Sequence, residues 1–157
     1  MKQLLLVSWL LSLSAILGLP EVKADVRMPL IFGNHMVLQQ DTRITIWGWA
    51  DAGENIEVLF AGQKVRTTAN ADGTWQVKLK PVKTKKKGET LTITGKNKLV
   101  YSDVLVGDVW VASGQSNMEW GIKVRKEYAD DIAHSEDSLL RLFFVPKNTS
   151  LQPLSEI

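Results

Sequence analysis

The chain has 157 residues, 45% of them hydrophobic and 23% charged, with a net charge of +2 and no cysteine. Such a length fits one domain or two small ones with a sizeable core, and the composition argues against disorder. The small net charge argues against nucleic-acid binding, which needs a clustered basic face, and the absent thiols exclude disulfides and cysteine lipidation, so packing alone must hold the fold.

The first 24 residues have the character of an address. Lys2 gives a positive start, Leu4 to Leu17 is apolar, and Val22 and Ala24 place small residues ahead of Asp25. This pattern predicts a secretory signal, residues 1–24, cleaved after Ala24, and hence a secreted or periplasmic product. The apolar run is shorter than the roughly 20 residues that span a bilayer, so no membrane attachment is expected after cleavage.

From Asp25 onward, short runs alternate apolar and polar residues between turn formers, the mark of strands buried on one face. Met36-Val37-Leu38 is the first, and Ile44 and Ile46 lead into Trp47-Gly48-Trp49. After Asp51-Ala52-Gly53-Glu54, Ile56, Val58 and Phe60 share a face; Ala61-Gly62-Gln63 closes a hairpin, and Lys64 to Thr68 pairs back. Trp75, Val77 and Leu79 come after the Asn70-Ala71-Asp72-Gly73 turn, and Pro81 stops that run because it cannot donate into a ladder. Lys83, Lys85, Lys86 and Lys87, ahead of Gly88, read as a solvated hairpin tip with no aromatic interleaved to stack on bases. Leu91, Ile93 and then Leu99 to Leu105 complete an all-β sandwich over residues 25–104. Indoles in strands are mostly core, so at least two of Trp47, Trp49 and Trp75 are expected inside; a sugar-stacking face is the alternative.

From Val104 the alternation gives way to apolar runs, Val104-Leu105-Val106 and Val109-Trp110-Val111-Ala112 on either side of Gly107-Asp108. Strands apolar on both faces belong in a parallel sheet covered by helices. Lys126 to His134 suits a helix and Leu139 to Val145 a second buried strand, so residues 105–157 read as the incomplete start of an α/β domain. Ligands in such sheets bind beyond the carboxyl ends of the strands, where Ser113 to Met118 falls. Gly114 permits a sharp departure from the strand, and free N–H groups of a helical turn starting after Ser116 favour charge developing on a substrate oxygen. That spacing suits a nucleophile seat and equally a serine capping a helix; Met118 excludes the Gly-x-Ser-x-Gly elbow of α/β-hydrolases. His35 lies in the β region and suits a surface or packing role, and His134, near Asp130 and Asp131, reads as part of a solvated helix face. Asn148-Thr149-Ser150 matches the glycosylation acceptor pattern.

"GDVWVASGQSNMEW" (Gly107 to Trp120) closely resembles the nucleophile block of the sialate O-acetylesterase family, within the SGNH-type hydrolases. "NHMVLQQ" (Asn34 to Gln40), "IWGWADAGENIEV" (Ile46 to Val58) and "DGTWQVKL" (Asp72 to Leu79) are similar to that family's amino-terminal β-sandwich, and "LLRLFFVP" (Leu139 to Pro146) to the strand after the nucleophile. The resemblance implies a serine esterase that removes O-acetyl groups from sialic acid or other acetylated sugars, with Ser116 as nucleophile and no metal or cofactor. It further implies that Gly114, Gln115 and Asn117 shape the seat, and that the Ser116 N–H is one oxyanion donor. The glycine and amide donors and the Asp-x-x-His pair that the family also uses do not occur after Ser116 here, so the chain is expected to be an amino-terminal portion, inactive by itself, whose missing partner is the rest of the hydrolase domain. The other reading left open is a non-enzymatic exported β-sandwich module that binds glycan or protein.

Overall fold

The computed structural model describes residues 25–121, 125–147 and 149–154; the signal segment expected over residues 1–24, and Asn148 of the acceptor pattern, lie outside the described residues. The described chain is mostly β, with little helix. Seven strands run in chain order: β1 (Val37–Gln39), β2 (Ile44–Trp49), β3 (Asn55–Phe60), β4 (Gln63–Thr68), β5 (Thr74–Leu79), β6 (Lys85–Thr94) and β7 (Lys98–Gly107). They form a five-stranded sheet in the order β1-β7-β6-β3-β4 and a two-stranded sheet of β2 and β5. Neighbours are antiparallel except β1 and β7, which run parallel with Val37 opposite Leu105.

Alternation in the sequence becomes one core between the sheets. Ile44, Ile46, Trp75, Val77 and Leu79 face inward from the small sheet, and Ile56, Val58, Phe60, Leu91, Ile93, Val104 and Val106 from the large one. Leu91, Ile93, Val58, Ile46 and Leu79 are fully buried. Every residue of this core lies between Val26 and Val106.

Turns fix the register. Ala61 and Gly62 both have positive φ, 49° and 73°, the two-residue type I′ geometry whose twist matches antiparallel strands. The Gln63 side chain accepts from the Lys80 N–H at 2.7 Å, stitching the start of β4 to the end of β5. At the β6–β7 turn, the buried Glu54 carboxylate accepts the Lys96 N–H at 2.6 Å and the Asp51 N–H at 3.2 Å, and Asn97 holds the backbone of Val26 at 2.8 and 3.0 Å. One buried carboxylate thus satisfies donors from two turns that would otherwise be orphaned.

Four expectations need correcting. Trp75 is buried at 2% exposure, but Trp47 is 39% exposed and Trp49 half-buried, so only one of the three indoles is core. Gly48 is the reason: it sits inward opposite Trp75, tight beneath the Arg27 carbonyl, and turns both flanking indoles outward, where Phe32 meets Trp47 edge-on at 4.7 Å and the Arg27 guanidinium covers Trp49 at 4.1 Å. Lys85, Lys86 and Lys87 lie exposed along β6 instead of at a hairpin tip, because β6 extends back to pair Lys85 with Val106. The stretches 109–112 and 139–145 are not strands: a strand needs a ladder to pair its N–H and C=O groups, and no ladder engages either stretch among the described residues. The helix expected over Lys126 to His134 is a 3-10 turn, Lys126–Tyr128, running into a five-residue helix, α1 (Ala129–Ala133).

Candidate active site

β7 delivers the chain to the candidate site, and its shape depends on a bulge. The pairing shifts between Glu89–Val104 and Leu91–Tyr101, and Asp103 occupies the left-handed region with φ 52°. Leu99 and Tyr101 pack against the core before the bulge, and Val104 and Val106 belong to it afterwards. One extra residue has therefore reversed which face each side chain takes. Leu105 is turned to the outer face yet remains buried, at 5% exposure and outside the core cluster. Val104-Leu105-Val106 is thus buried on both faces and pairs in parallel, but with β1 of the same β unit. Gly88 makes room for the bulge: a Cβ there would sit 2.7 Å from the Asp103 Cα.

Where β7 ends, two neighbouring glutamines take hold of the chain. The Gln40 N–H donates to the Gly107 carbonyl at 2.9 Å and its side-chain amide to Asp108 at 3.0 Å. The Gln39 side-chain carbonyl accepts the Val109 N–H at 2.8 Å. Beyond this grip Trp110 and Val111 are 87% and 91% exposed.

The predicted site residues come next, on one exposed turn. Gln115 is extended, with φ −78° and ψ −171°, and a single 3-10 turn, Ser116–Glu119, begins after it. The Met118 N–H closes the turn on the Gln115 carbonyl at 2.9 Å. Gly114 lets Met118 fold back over the backbone, since a Cβ at that glycine would lie 2.7 Å from the Met118 Cγ. Gly114, Gln115, Ser116 and Asn117 are all exposed, and no side chain caps the turn, so the helix-capping role open to the serine is not the one adopted.

Neither histidine is hydrogen-bonded to Ser116. His134 Nδ1 donates to its own helix at the Asp130 carbonyl, 2.8 Å, without engaging either neighbouring carboxylate. His35, with φ 63°, places Nδ1 2.8 Å from Asp103 Oδ2 with its side chain 65% exposed. The same Asp103 oxygen accepts from Arg141 Nη2 at 3.0 Å. Those two partners, His35 first and then Arg141, hold the Asp103 carboxyl below the usual carboxylate range. Among the described residues no group of three His, Cys, Asp or Glu is placed to hold a metal ion. The roles of Gln39, Gln40, Asp103 and Arg141 have no distinctive mark in the sequence; the only signal is that both glutamines close the "NHMVLQQ" string.

No family model matches the chain. Sialate O-acetylesterase of Mus musculus is 32% identical over 139 residues, 79% of this chain and 26% of that protein. The Rattus norvegicus enzyme is 34% identical over 140 residues, 79% of this chain and 25% of its own length. The chain belongs to the sialate O-acetylesterase family. It spans about a quarter of the length of these relatives. Among solved structures, a carbohydrate acetylesterase from Xanthomonas citri superposes with a TM-score of 0.78 at 37% identity, over 83% of this chain and 30% of that one. Coverage of that extent is more than the β unit alone can supply.

Proposed function

We propose that this member of the sialate O-acetylesterase family carries the nucleophile of a carbohydrate O-acetylesterase. Ser116 is the attacking residue, Gly114, Gln115 and Asn117 form its seat, and the substrate is an O-acetylated sialic acid or another acetylated sugar. The observation that carries this reading is the position of the Ser-Gly-Gln-Ser-Asn-Met string: its second serine begins an open turn in the segment that follows β7, and that residue, Ser116, is exposed. The likeness to acetylesterases supports it.

In this reading Ser116 Oγ attacks the acetyl carbonyl carbon as its proton passes to a base. The negative charge that develops on the carbonyl oxygen is met by the Ser116 N–H, and the sugar hydroxyl leaves on collapse of the tetrahedral intermediate. Water then hydrolyses the acetyl-serine to acetate. A serine hydroxyl at neutral pH depends on an adjacent base, and both histidines of the chain are engaged elsewhere. The 157-residue chain alone is therefore expected to turn over acetyl esters at or near the uncatalysed rate. The β module expected over residues 25–104 extends to Gly107, where β7 ends, and the residues after it are the start of an SGNH-type hydrolase domain, in a product exported through residues 1–24. The test is release of acetate, or of a chromogenic alcohol from its acetyl ester, by the purified chain beside Ser116→Ala. Equal background rates are expected; Ser116-dependent turnover by this chain would overturn the claim that it lacks a base. For the nucleophile assignment, a longer form joining these residues to an Asp-x-x-His segment must lose its turnover in Ser116→Ala, and undiminished activity there would refute it.

One observation favours a second reading, a β module that contacts glycan without chemistry. Trp47 is exposed on the outer face of β2, beside Gln76 on β5. Retention on an immobilised acetylated polysaccharide, lost in Trp47→Ala and kept in Ser116→Ala, would select this reading.

A further inference from the structure

Among the described residues after Gly107 whose side chains are placed, only Ile132 and Arg141 are not exposed. It is unusual for an arginine to be the tucked-in member of an otherwise exposed apolar stretch. Leu142 and Phe144, close by, are 90% and 80% exposed, whereas the Arg141 side chain is 25% exposed. Its guanidinium is spread between two sites, with Nη1 donating to the Ser138 carbonyl and Nη2 to Asp103 Oδ2 at 3.0 Å. The carboxylate it meets is unusually fixed. Asp103 is the left-handed residue of the β7 bulge, Gly88 closes beneath it, and His35 takes hold of the same oxygen from the loop before β1. That loop is itself sewn to β7: the His35 N–H donates to the Ser102 carbonyl at 3.0 Å, and Asn34 Oδ1 accepts the Ser102 N–H at 2.8 Å.

We propose that Asp103, shared by His35 and Arg141, is a latch holding the 139–145 stretch on the outer face of β7. The loop that carries Ser116 is thereby anchored to the β unit at both ends, by Gln39 and Gln40 where it leaves and by Asp103 where it returns. His35, Asp103 and Arg141 are positioning residues and none is assigned a chemical step. The benefit to Ser116 rests on the esterase reading; the latch does not. Two anchors on one rigid sheet limit how far the intervening chain can wander, which is what a nucleophile aimed from a loop requires.

Trypsin tests the latch on the whole chain, since it cleaves after an arginine only when that side chain and the local backbone are free to enter its site. Mass spectrometry tracks cutting after Arg141, after exposed Lys126, and after the strand residues Lys64 and Lys98. Asparagine tolerates left-handed φ as aspartate does, so Asp103→Asn removes the charge and leaves the bulge intact. Cutting after Arg141 is expected to be slower than after Lys126 in the native chain, and about fivefold faster in Asp103→Asn, with Lys64 and Lys98 unchanged. Arg141→Lys keeps a cation for the single Asp103 oxygen and should remain protected; combined with Asp103→Asn it should lose that protection. Unchanged cutting after residue 141 in Asp103→Asn overturns the latch, and so does acceleration shared equally by the strand sites. No turnover is involved, so failure here leaves the esterase reading standing, and an inert Ser116 leaves the latch standing.

Discussion

At the scale of single residues, position relative to a sheet face outweighs residue type. Trp47 and Trp75 lie on paired strands, with Trp47 opposite Gln76 and Trp75 opposite Gly48, yet the first faces solvent and the second is 2% exposed. Replacing a buried indole by a methyl loses its transfer free energy and leaves a cavity, so Trp75→Ala should lower stability by about 3–5 kcal/mol in urea denaturation. Trp47→Ala loses mainly the edge-on contact with Phe32 and should lower it by about 1 kcal/mol. Equal losses at the two positions would contradict the assignment of faces. Ser116 is an equally local matter: the residue is exposed, and what it lacks is a basic partner, which neither His35 nor His134 provides.

At the scale of elements, the β6–β7 pair shows what the sequence can and cannot convey. Alternating Leu91 and Ile93, the Gly95 turn and the apolar run from Leu99 are legible because a half-buried strand must repeat every second residue. The bulge is not, because an extra residue changes the parity of a strand without changing its composition; Asp103 reads like any polar position in an alternating run. For the same reason Val104 to Val106 suggest a separate parallel sheet, whereas they belong to the β unit itself, with Val104 and Val106 in its core, Leu105 buried on the other face and β1 paired alongside. Gly88 reads in the sequence only as the end of a lysine run, although it is the residue on which the bulge closes. Gly88→Ala would place a methyl against the Asp103 backbone, 2.7 Å from Cα and 2.8 Å from the carbonyl carbon. Overpacking of that kind should lower stability by about 1–3 kcal/mol and, by loosening the bulge, disturb the His35 ring resonances in NMR spectra. A neutral outcome in both measurements would mean that the bulge yields freely. The serine turn is legible for a different reason: the glycine and amides around Ser116 mark it without any reference to a sheet.

At the scale of the whole molecule, acid and exposed apolar surface are the two stresses to consider. Glu57 is held below the ordinary carboxylate range by Lys64 and then Arg66, Asp72 by the hydroxyl and N–H of Thr74, and Asp103 by His35 and then Arg141. A carboxylate whose folded pKa is depressed binds protons more readily in the unfolded chain. Its stabilising effect is therefore complete above the ordinary carboxylate pKa of about 4 and disappears as pH falls through the lower folded value. The melting temperature should be level from neutrality down to about pH 5 and decline below about pH 4; a rise on acidification would contradict these assignments. The second stress arises from where the core ends. All of the core lies within Val26 to Val106, whereas Trp110, Val111, Leu142 and Phe144 are each at least 80% exposed. Apolar side chains left in water drive association when they are numerous on one segment, and isolated ones do not. A protein comprising residues 25–107 should therefore melt close to the temperature of the longer chain and stay monomeric. Residues 25–157 should associate with rising concentration and bind an apolar dye. Light scattering on the two side by side decides the matter: matching monomeric profiles would mean that the segment after β7 covers its own apolar residues in solution, and a large fall in melting temperature for 25–107 would mean that this segment contributes to the core after all.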